Sequence, residues 1–344
     1  MPLFPALPRS APRPLSRRRV LLGAAGVLAA PQVLRAAGEG GLRFRHAMGE
    51  IVLPAPARRV VSLGANTQDP LLALGVVPVA IRRWYGDYNY GVWPWAQDRL
   101  GDASPVVIGG EISAETVASL RPDLIVGIGS GMSGEEYALL SQIAPVLMQA
   151  EGTTAYGTSW QAMTEVLGRA TGREAEAGRL VAGLEAEFAA IRARHPDWQG
   201  MTAVAAWQDS GQTGAFTADD TRSRFLREIG FGQPAGLREL SAIDGFYTTI
   251  SSEDFTPIDA DLLVWISDFA RAPDIAALPM RRTMRAFREG REILADTVLT
   301  GALSFGTVLS LPYALREIEP EIVLAVDGDP ATVVPSAARA GLAP

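Results

Sequence analysis

Cysteine and lysine are missing from the 344-residue chain, and histidine occurs twice. The lack of cysteine excludes disulfides, thiol catalysis, thiolate metal sites and the residue that carries a bacterial lipid anchor. His46 and His195 are too few for a histidine-based zinc site, which needs three or four ligands, so we expect no resident metal. The lack of lysine leaves arginine, a planar and always charged hydrogen-bond donor, as the basic side chain of this protein.

Catalytic patterns and excess positive charge are also missing. The chain has no Gly-x-Ser-x-Gly turn of the kind that carries a hydrolase nucleophile, and its carboxylates are scattered. We therefore expect no catalytic residue and no enzyme activity. The net charge is −7, and it becomes −13 when residues 1–36, with six arginines and no acid, are set aside. Such acidity argues against nucleic acid and anionic lipid surfaces as partners.

Residues 1–36 have the pattern of an export signal. Ser16 and the pair Arg17-Arg18 precede a weakly apolar run at residues 20–30. This order is typical of a twin-arginine signal peptide, and the run is shorter than the ~20 residues that cross a bilayer. We therefore expect a periplasmic protein that is exported, soluble and without a lipid anchor.

The rest of the chain alternates short apolar runs with helical patterns. Runs typical of buried strands lie in the first half at residues 60–63, 77–81, 106–108, 124–128 and 146–148. Further strands are predicted near residues 202–207, 262–266 and 292–294. Strands that alternate with helices predict parallel sheets covered by helices on both faces. The sequence thus predicts an N-terminal α/β lobe at residues 37–157 and a C-terminal α/β lobe at residues 197–344.

A connecting helix is predicted at residues 158–196. Leu180, Leu184, Phe188 and Ile191 follow one another at helical spacing and form one apolar stripe. The helical pattern ends at His195, which precedes a proline. We predict that this segment joins the two lobes.

The two lobes contain an internal repeat. Segments 112–128 and 250–266 align without a gap and share seven of seventeen residues, where chance gives about one. In each copy a serine, Ser113 or Ser251, is predicted to cap a helix that precedes an apolar strand. The first turn of the predicted helix contains Glu115 in one copy and Glu253 in the other. A carboxylate at this position stabilises the helix through its interaction with the helix dipole.

Several segments resemble a known family. They include Leu-Arg-Pro-Asp-Leu-Ile at residues 120–125, Ile-Ala-Pro at residues 143–145 and Arg-Val-Val-Ser-Leu at residues 59–63. Together with two lobes and a connecting helix, they are similar to the helical-backbone (class III) periplasmic binding proteins of ABC importers. This group serves vitamin B12 and ferric siderophores, and the Trp-Pro-Trp-Ala segment at residues 93–96 looks closer to the siderophore binders.

The resemblance implies a fold, a ligand and a partner. It implies two similar α/β lobes with parallel-type sheets, a ligand cleft between them, and a protein that acts as a monomer. The ligand would be a ferric siderophore or similar chelate, so iron would enter only within the chelate and no cofactor is expected. The partner would be an inner-membrane ABC permease, whose arginines would meet Glu115 and Glu253.

Aromatic residues crowd into one polar loop. Six of the twelve residues 84–95 are Trp or Tyr, directly after two arginines. Aromatic faces suit the apolar shell of a chelate, and arginines suit its oxygens. Further candidates follow strand ends in the second lobe, where ligands of α/β sheets commonly bind. The residues predicted to bind ligand are Arg82, Arg83, Trp84, Tyr85, Tyr88, Tyr90, Trp207, Phe246, Tyr247, Trp265, Arg271 and Phe305.

Three other residues have weaker predictions. Arg222 is a further candidate for ligand binding, although it can equally start a helix. Trp93 and Trp95 suit a structural cluster within the aromatic loop.

Two other functions stay open. Residues 129–134 fit Gly-x-Gly-x-x-Gly after a strand, with Glu151 after the next strand, which is typical of a dinucleotide-dependent oxidoreductase. A cobalamin or haem binder of the same fold is the second alternative, and its flat macrocycle would need fewer arginines.

Overall fold

The computed structural model of the protein describes residues 41–267 and 269–343. The predicted signal peptide and its arginine pair lie outside these residues. The elements below belong to one compact unit that begins at Leu42. Within the described ranges, no helix is both long and apolar enough to cross a bilayer.

The N-terminal lobe begins with a hairpin and continues as a five-stranded sheet. Its strands are β1 (Leu42–His46), β2 (Gly49–Leu53), β3 (Val60–Ser62), β4 (Ala80–Arg82), β5 (Val106–Ile108), β6 (Leu124–Val126) and β7 (Val146–Leu147). Its helices are α1 (Gln68–Ala73), α2 (Ala114–Ser119) and α3 (Gly134–Leu140). The sheet order is β5-β4-β3-β6-β7, with every neighbouring pair parallel. Residues of β3 alternate between two cores, Val60 with Leu71 on one face and Val61 with Val117 on the other.

Two helices join the lobes, α4 (Trp160–Thr171) and α5 (Glu174–Arg194). The chain reverses between them at Gly172, whose φ of 66° favours glycine. Ala177, near the start of α5, packs in an N-terminal core. Leu184, Phe188 and Ile191 pack in the C-terminal core. The predicted apolar stripe therefore packs against the protein core along a helix that spans both lobes, with Leu180 partly buried and the other three residues buried.

The C-terminal lobe contains the second five-stranded sheet. Its strands are β8 (Ala203–Asp209), β9 (Gln212–Phe216), β10 (Tyr247–Ile250), β11 (Leu262–Trp265) and β12 (Glu292–Leu294). Its helices are α6 (Thr221–Glu228), α7 (Ala235–Arg238), α8 (Ala272–Ala276), α9 (Arg285–Arg288), α10 (Thr297–Phe305), α11 (Ser310–Ala325) and α12 (Pro335–Arg339). The sheet order is β10-β9-β8-β11-β12.

The C-terminal sheet is mixed, which corrects the prediction of two parallel-type sheets. Strands β8, β11 and β12 are parallel, whereas β9 pairs antiparallel with both β8 and β10. A two-residue turn at Ser210 and Gly211, with φ of 51° and 80°, makes the β8–β9 hairpin. Positive φ at both positions is the geometry that matches the twist of paired strands.

The internal repeat is a structural repeat at its strand. Asp123 precedes β6 and accepts hydrogen bonds from the backbone N–H groups of Arg58 and Arg59, 2.9 and 2.8 Å away, just before β3. Asp261 precedes β11 and accepts one from Thr202, 2.8 Å away, just before β8. In each lobe, an aspartate at the same position of the repeat therefore aligns two neighbouring central strands.

The helical part of the repeat differs between the lobes. Ser113 caps α2 by accepting a hydrogen bond from the N–H of Thr116 at 3.2 Å, as predicted. Ser251 accepts one from the N–H of Glu253, two residues on, and a single 3₁₀ turn at Thr256–Ile258 follows. The prediction that Ser251 caps an α-helix is wrong. Pro257 and the neighbouring aspartates Asp254 and Asp259 favour a tight turn over a continuous helix.

Candidate functional site

A cavity of about 320 Å³ lies between the two lobes. Its N-terminal wall comes from residues that follow β3, β4, β6 and β7, because the carboxyl ends of parallel strands share one sheet edge. Its C-terminal wall comes from the start of α6, the residue before β10 and one face of α10. The lining residues are Ala65, Asn66, Tyr85, Ile128, Gly129, Ala155, Tyr156, Thr158, Met163, Asp220, Thr221, Arg222, Phe246, Thr300, Ser304 and Phe305.

Aromatic pairs connect the two walls. Tyr85 from the N-terminal lobe meets Phe305 edge to face, with ring centroids 5.6 Å apart. Tyr156 meets Phe246 in the same way at 6.1 Å. Each pair is a favourable aromatic contact between the lobes. The cavity thus presents rings from both lobes to whatever enters it.

A carboxylate–guanidinium pair lies in the C-terminal wall. Arg222 Nη1 is 2.9 Å from Asp220 Oδ2, and Arg222 Nε donates to Ser304 Oγ at 3.1 Å. The guanidinium also lies over the Phe216 ring, 4.0 Å from its centroid. Asp220 is held in turn as the N-cap of α6, where it accepts from the N–H of Arg222. These contacts fix the position of a single cation in the wall.

The Tyr85 hydroxyl faces this pair. Burial raises the pKa of Tyr85, while the Arg222 charge and a hydrogen bond to Ser304 act in the opposite direction. The whole residue is still 46% exposed, because its ring forms part of the open wall. Tyr85 therefore stays a neutral hydrogen-bonding group at ordinary pH.

Buried hydrogen bonds hold the lobes together behind the cavity. Asp69 Oδ2 accepts from Trp95 Nε1–H and from the hydroxyl of Thr307, both at 2.7 Å. Burial raises the pKa of Asp69 to about 6, against these two hydrogen bonds. Asn66 adds a hydrogen bond to the carbonyl oxygen of Phe305 at 2.6 Å.

Three of the twelve predicted ligand-binding residues line the cavity: Tyr85, Phe246 and Phe305. Phe305 is the last residue of α10, a helix that the sequence analysis did not predict. Arg222, the weaker candidate, also lines the cavity, and it is the one arginine among the described lining residues. Whether these four contact ligand stays a prediction.

Most of the aromatic loop folds onto itself and onto the C-terminal lobe. Trp93 is 1% exposed and packs against Tyr88, Trp95 and Phe305 at centroid distances of 4.6, 5.0 and 5.5 Å. Gly301 of α10 is required by this contact, since a Cβ there would lie 2.3 Å from the Trp93 ring. Trp93 and Trp95 are thus structural, as the sequence analysis suggested.

The other predicted residues of this loop lie outside the cavity wall. Arg82 stacks on the Trp84 ring at 4.5 Å, and Trp84 Nε1–H donates to the Leu63 carbonyl oxygen at 3.4 Å. Arg83 pairs with Asp87 at 3.1 Å, four residues along the chain. Tyr90 hydrogen-bonds Ser104 at 3.1 Å, and Tyr88 packs on Trp93. These side chains therefore contact nearby residues of the protein and do not face the cavity.

Four predicted residues of the C-terminal lobe also lie outside the cavity wall. The β8–β9 hairpin extends past β11, because the pairing of β8 with β11 covers only Ala203–Ala206. Trp207 lies in this extension over Gly214 and meets Tyr247 at 5.9 Å. Arg271 pairs with Asp209 in the same extension, 2.6 Å apart. Because β9 was not predicted, the sequence analysis placed these side chains at a free strand end.

Trp265 belongs to the core. It is fully buried and donates its Nε1–H to Glu292 Oε1 at 2.9 Å. Glu292 in turn pairs with Arg281 at 2.7 Å, and both partners are buried. The prediction that Trp265 contacts ligand is therefore corrected, since its side chain points into the interior of the sheet.

Tyr156 and Asn66 line the cavity and were missed. Both follow strands of the N-terminal lobe, Asn66 after β3 and Tyr156 after β7. Ligands of α/β sheets bind beyond the carboxyl ends of strands, and this principle, used for the second lobe, also indicates Asn66 and Tyr156 in the first lobe.

The glycine-rich loop at residues 129–134 serves the protein itself. Gly131 has φ of 63°, and a Cβ there would lie 2.6 Å from the Tyr156 hydroxyl. Ser133 and Glu136 form a capping box at the start of α3. Close approach of Tyr156 thus accounts for Gly131, one of the glycines of the Gly-x-Gly-x-x-Gly pattern on which the dinucleotide hypothesis rests.

Glu115 and Glu253 are exposed, one in each lobe. Glu115 lies in the first turn of α2, and Glu253 lies in the turn before Thr256–Ile258. Their exposure does not test whether they contact a permease, so that contact stays a prediction.

Comparisons with known proteins agree with the two-lobed fold. A sequence model described as periplasmic binding protein matches residues 60–298. The chain is 27% identical over 288 residues to the probable siderophore-binding lipoprotein YfiY of Bacillus subtilis, across 80% of this chain and 86% of that protein. It is 27% identical over 237 residues to the ferric enterobactin-binding periplasmic protein FepB of Escherichia coli, across 65% of this chain and 72% of that protein.

A solved structure supports the same relationship. The periplasmic solute binding protein from Mycobacterium smegmatis superposes with a TM-score of 0.74 at 32% identity, across 84% of this chain and 100% of that chain. The two-lobed α/β prediction is thereby confirmed, and the oxidoreductase alternative is not favoured. The chain belongs to the periplasmic binding protein family.

Proposed function

We propose that the protein captures a ferric siderophore between its lobes and delivers it to an ABC importer in the inner membrane. The observation that carries this proposal is the cavity of about 320 Å³, lined by aromatic rings from both lobes. Its volume falls within the usual ~300–1,000 Å³ range of small-molecule sites. The names of YfiY and FepB support a siderophore as the ligand class.

The chelate, not the protein, would saturate the iron. Among residues 41–267 and 269–343, no group of three or more His, Asp or Glu side chains could hold a metal ion. The cavity instead offers aromatic faces and the donors of Asn66, Tyr85 and Arg222, which suit the apolar shell and ligand oxygens of a complete chelate. The protein would therefore act by binding the complete chelate.

Calorimetric titration of the purified protein tests this proposal. We expect saturable one-to-one binding of at least one ferric siderophore, and much weaker binding of the iron-free siderophore and of iron salts. Tyr85→Ala should weaken that binding, while Tyr90→Ala, a change outside the cavity, should not. Binding of haem or cobalamin, with no ferric chelate bound, would contradict the proposal.

We also propose that residues 1–36 direct export through the twin-arginine pathway. This proposal rests on Arg17 and Arg18 before a weakly apolar run, and on the family assignment. Replacing both arginines by lysine should leave precursor in the cytoplasm, because the pathway recognises the pair itself. Arg9→Lys and Arg13→Lys together provide a control with the same charge. Normal export of the Arg17→Lys, Arg18→Lys protein would contradict the assignment.

A further inference from the structure

The walls of the cavity carry almost no net charge. Of the sixteen described lining residues, Asp220 and Arg222 are the two with ionised side chains at neutral pH. They lie 2.9 Å apart, so their charges largely cancel at any distance greater than their own separation. The remaining lining residues are apolar, aromatic, or neutral hydrogen-bonding groups.

Arg222 is already engaged by the protein. Its Nη1 contacts Asp220, its Nε donates to Ser304 and one face of its guanidinium covers Phe216. Within the described residues, Nη2 makes no hydrogen bond to a protein acceptor. Arg222 can therefore offer one donor group to a ligand oxygen, but it brings little uncompensated positive charge.

The other arginines predicted to bind ligand do not change this balance. Arg82 stacks on the Trp84 ring. Arg83 pairs with Asp87, and Arg271 pairs with Asp209. All three arginines lie outside the cavity wall. The nearby buried carboxyl of Asp69 acts on Tyr85 as a negative charge, opposite to Arg222. Arg222 has the larger effect of the two on Tyr85, so the electrostatic environment of the cavity is close to neutral.

We propose that the cleft selects ferric chelates of low net charge, such as neutral trihydroxamate complexes, over trianionic tricatecholate complexes. This inference rests on the proposed function. A trianion that leaves water for this cavity would lose much of its hydration, and one compensated guanidinium cannot replace it. A neutral chelate loses far less hydration, and its apolar shell gains contact with the rings of Tyr85, Tyr156 and Phe246.

Titration with two probes tests the selectivity. The probes are ferrichrome, a neutral trihydroxamate complex, and ferric enterobactin, a trianionic tricatecholate complex. We expect the wild-type protein to bind ferrichrome at least about tenfold more tightly, with an affinity nearly independent of salt because no net charge is neutralised. Tighter binding of ferric enterobactin would overturn this inference and leave the proposed function intact. Failure of every ferric chelate to bind would instead overturn the proposed function.

The Asp220→Asn variant tests whether compensation of the Arg222 charge by Asp220 causes the selectivity. Asparagine is as good an N-cap as aspartate, so α6 should keep its start while the charge that compensates Arg222 is removed. The preference for ferrichrome over ferric enterobactin should fall about tenfold or more, mainly through tighter binding of the trianion. Asp219→Asn removes the same charge one residue away, at an exposed position outside the cavity, and should leave the preference unchanged. An unchanged preference in Asp220→Asn, or an equal change in both variants, would overturn the inference.

Discussion

Asp69 is a fully buried carboxyl group that hydrogen-bonds both lobes, through Trp95 in one and Thr307 in the other. Its second oxygen, Oδ1, has no partner among the described residues. Burial raises its pKa to about 6, so the folded protein binds a proton that the unfolded chain releases near pH 4. The stability that this proton confers is complete below the unfolded pKa and is lost as pH rises through the folded pKa.

We therefore predict that Asp69→Asn stabilises the protein at neutral pH. The amide accepts the same hydrogen bonds but cannot ionise, so the free energy of unfolding at about pH 7.5 should rise by up to ~3 kcal/mol. At about pH 4.5, where the wild-type carboxyl is mostly neutral, the two proteins should differ much less. Urea denaturation at both pH values measures the difference. An equal effect at the two pH values would show that ionisation of Asp69 is not its cause.

Glu292 is the counter-ion of a buried guanidinium. It accepts from Arg281 and from Trp265 Nε1–H, and the same Arg281 also donates to the carbonyl oxygen of Leu342 near the C-terminus. Glu292→Gln preserves the side-chain shape but leaves the Arg281 charge uncompensated in the core. We expect a loss of ~3–5 kcal/mol in the free energy of unfolding, the usual cost of breaking a buried pair. Glu289→Gln, at a half-buried pair with Arg291, should cost below ~1 kcal/mol; similar losses in both variants would contradict the prediction.

Individual side chains were the hardest feature to predict from the sequence. The sequence analysis selected Tyr85 and Phe246, which line the cavity, but it could not distinguish a side chain that faces the cavity from one with a local partner. Trp84 and Arg82 stack on each other, and Arg83 pairs with Asp87. These contacts depend on the path of an irregular loop, which has no periodicity to indicate it.

At the scale of elements, one aspartate per lobe aligns the central strands. Asp261 accepts hydrogen bonds from Thr202 and pairs with Arg285, and although burial acts to raise its pKa, these contacts lower it below the ordinary value. Asp123 has the same position in the first lobe but is exposed and accepts only from backbone N–H groups. The two positions should therefore differ in importance.

We predict that Asp261→Ala lowers the free energy of unfolding by ~1–3 kcal/mol, and Asp123→Ala by less. A carboxyl with a lowered folded pKa stabilises above its unfolded pKa, so the Asp261 contribution should disappear as pH falls below about 4. Urea denaturation at neutral and acid pH tests both statements. Asp98→Ala, an exposed position without a described hydrogen bond, is the control; a loss at Asp98 equal to that at Asp261 would contradict the role in strand alignment.

Elements with strong patterns were predicted well. Continuous apolar runs gave β3, β5, β6, β11 and β12 nearly to the residue, and helical spacing gave α5. Strands β9 and β10 were missed because Gln212–Phe216 and Tyr247–Ile250 are short and partly polar, and their pairing depends on a turn that only Ser210 and Gly211 indicate. Helix α10 was missed because its residues are apolar on most sides, which obscures the period.

At the scale of the whole molecule, the repeat predicted two lobes and the family resemblance implied a cleft between them, whereas the residues of the cleft wall could be identified only from the structure. Phe305, Trp93 and Trp95 meet across the lobes although about 210 residues separate them in the chain. No local pattern records such a contact. The sequence therefore indicated where the cavity would be, while the closure of α10 over the aromatic loop decides which side chains remain available to a ligand.

Glu115 and Glu253 are the residues that we expect to contact the permease. Glu115 and Glu253 are exposed, lie at matched repeat positions in different lobes and are distinct from the cavity-lining residues. A charge on each lobe would let a membrane partner contact both lobes at once, and rim charges mainly affect encounter and orientation. The first-turn position of Glu115 alone is explained by a helix dipole worth ~0.3–1 kcal/mol, but Glu253 precedes no α-helix, so that explanation covers only one of the two.

We therefore expect the Glu115→Ala, Glu253→Ala protein to fold and to bind ferric chelate like the wild type, but to support little uptake in vesicles that contain the cognate permease. Each single variant should retain part of the activity, because one contact remains. Glu185→Ala with Glu187→Ala removes the same charge from exposed positions of α5 and should leave uptake unchanged. If the Glu115→Ala, Glu253→Ala protein transports chelate at the wild-type rate, these glutamates do not dock the permease, and Glu115 acts only at the start of its helix.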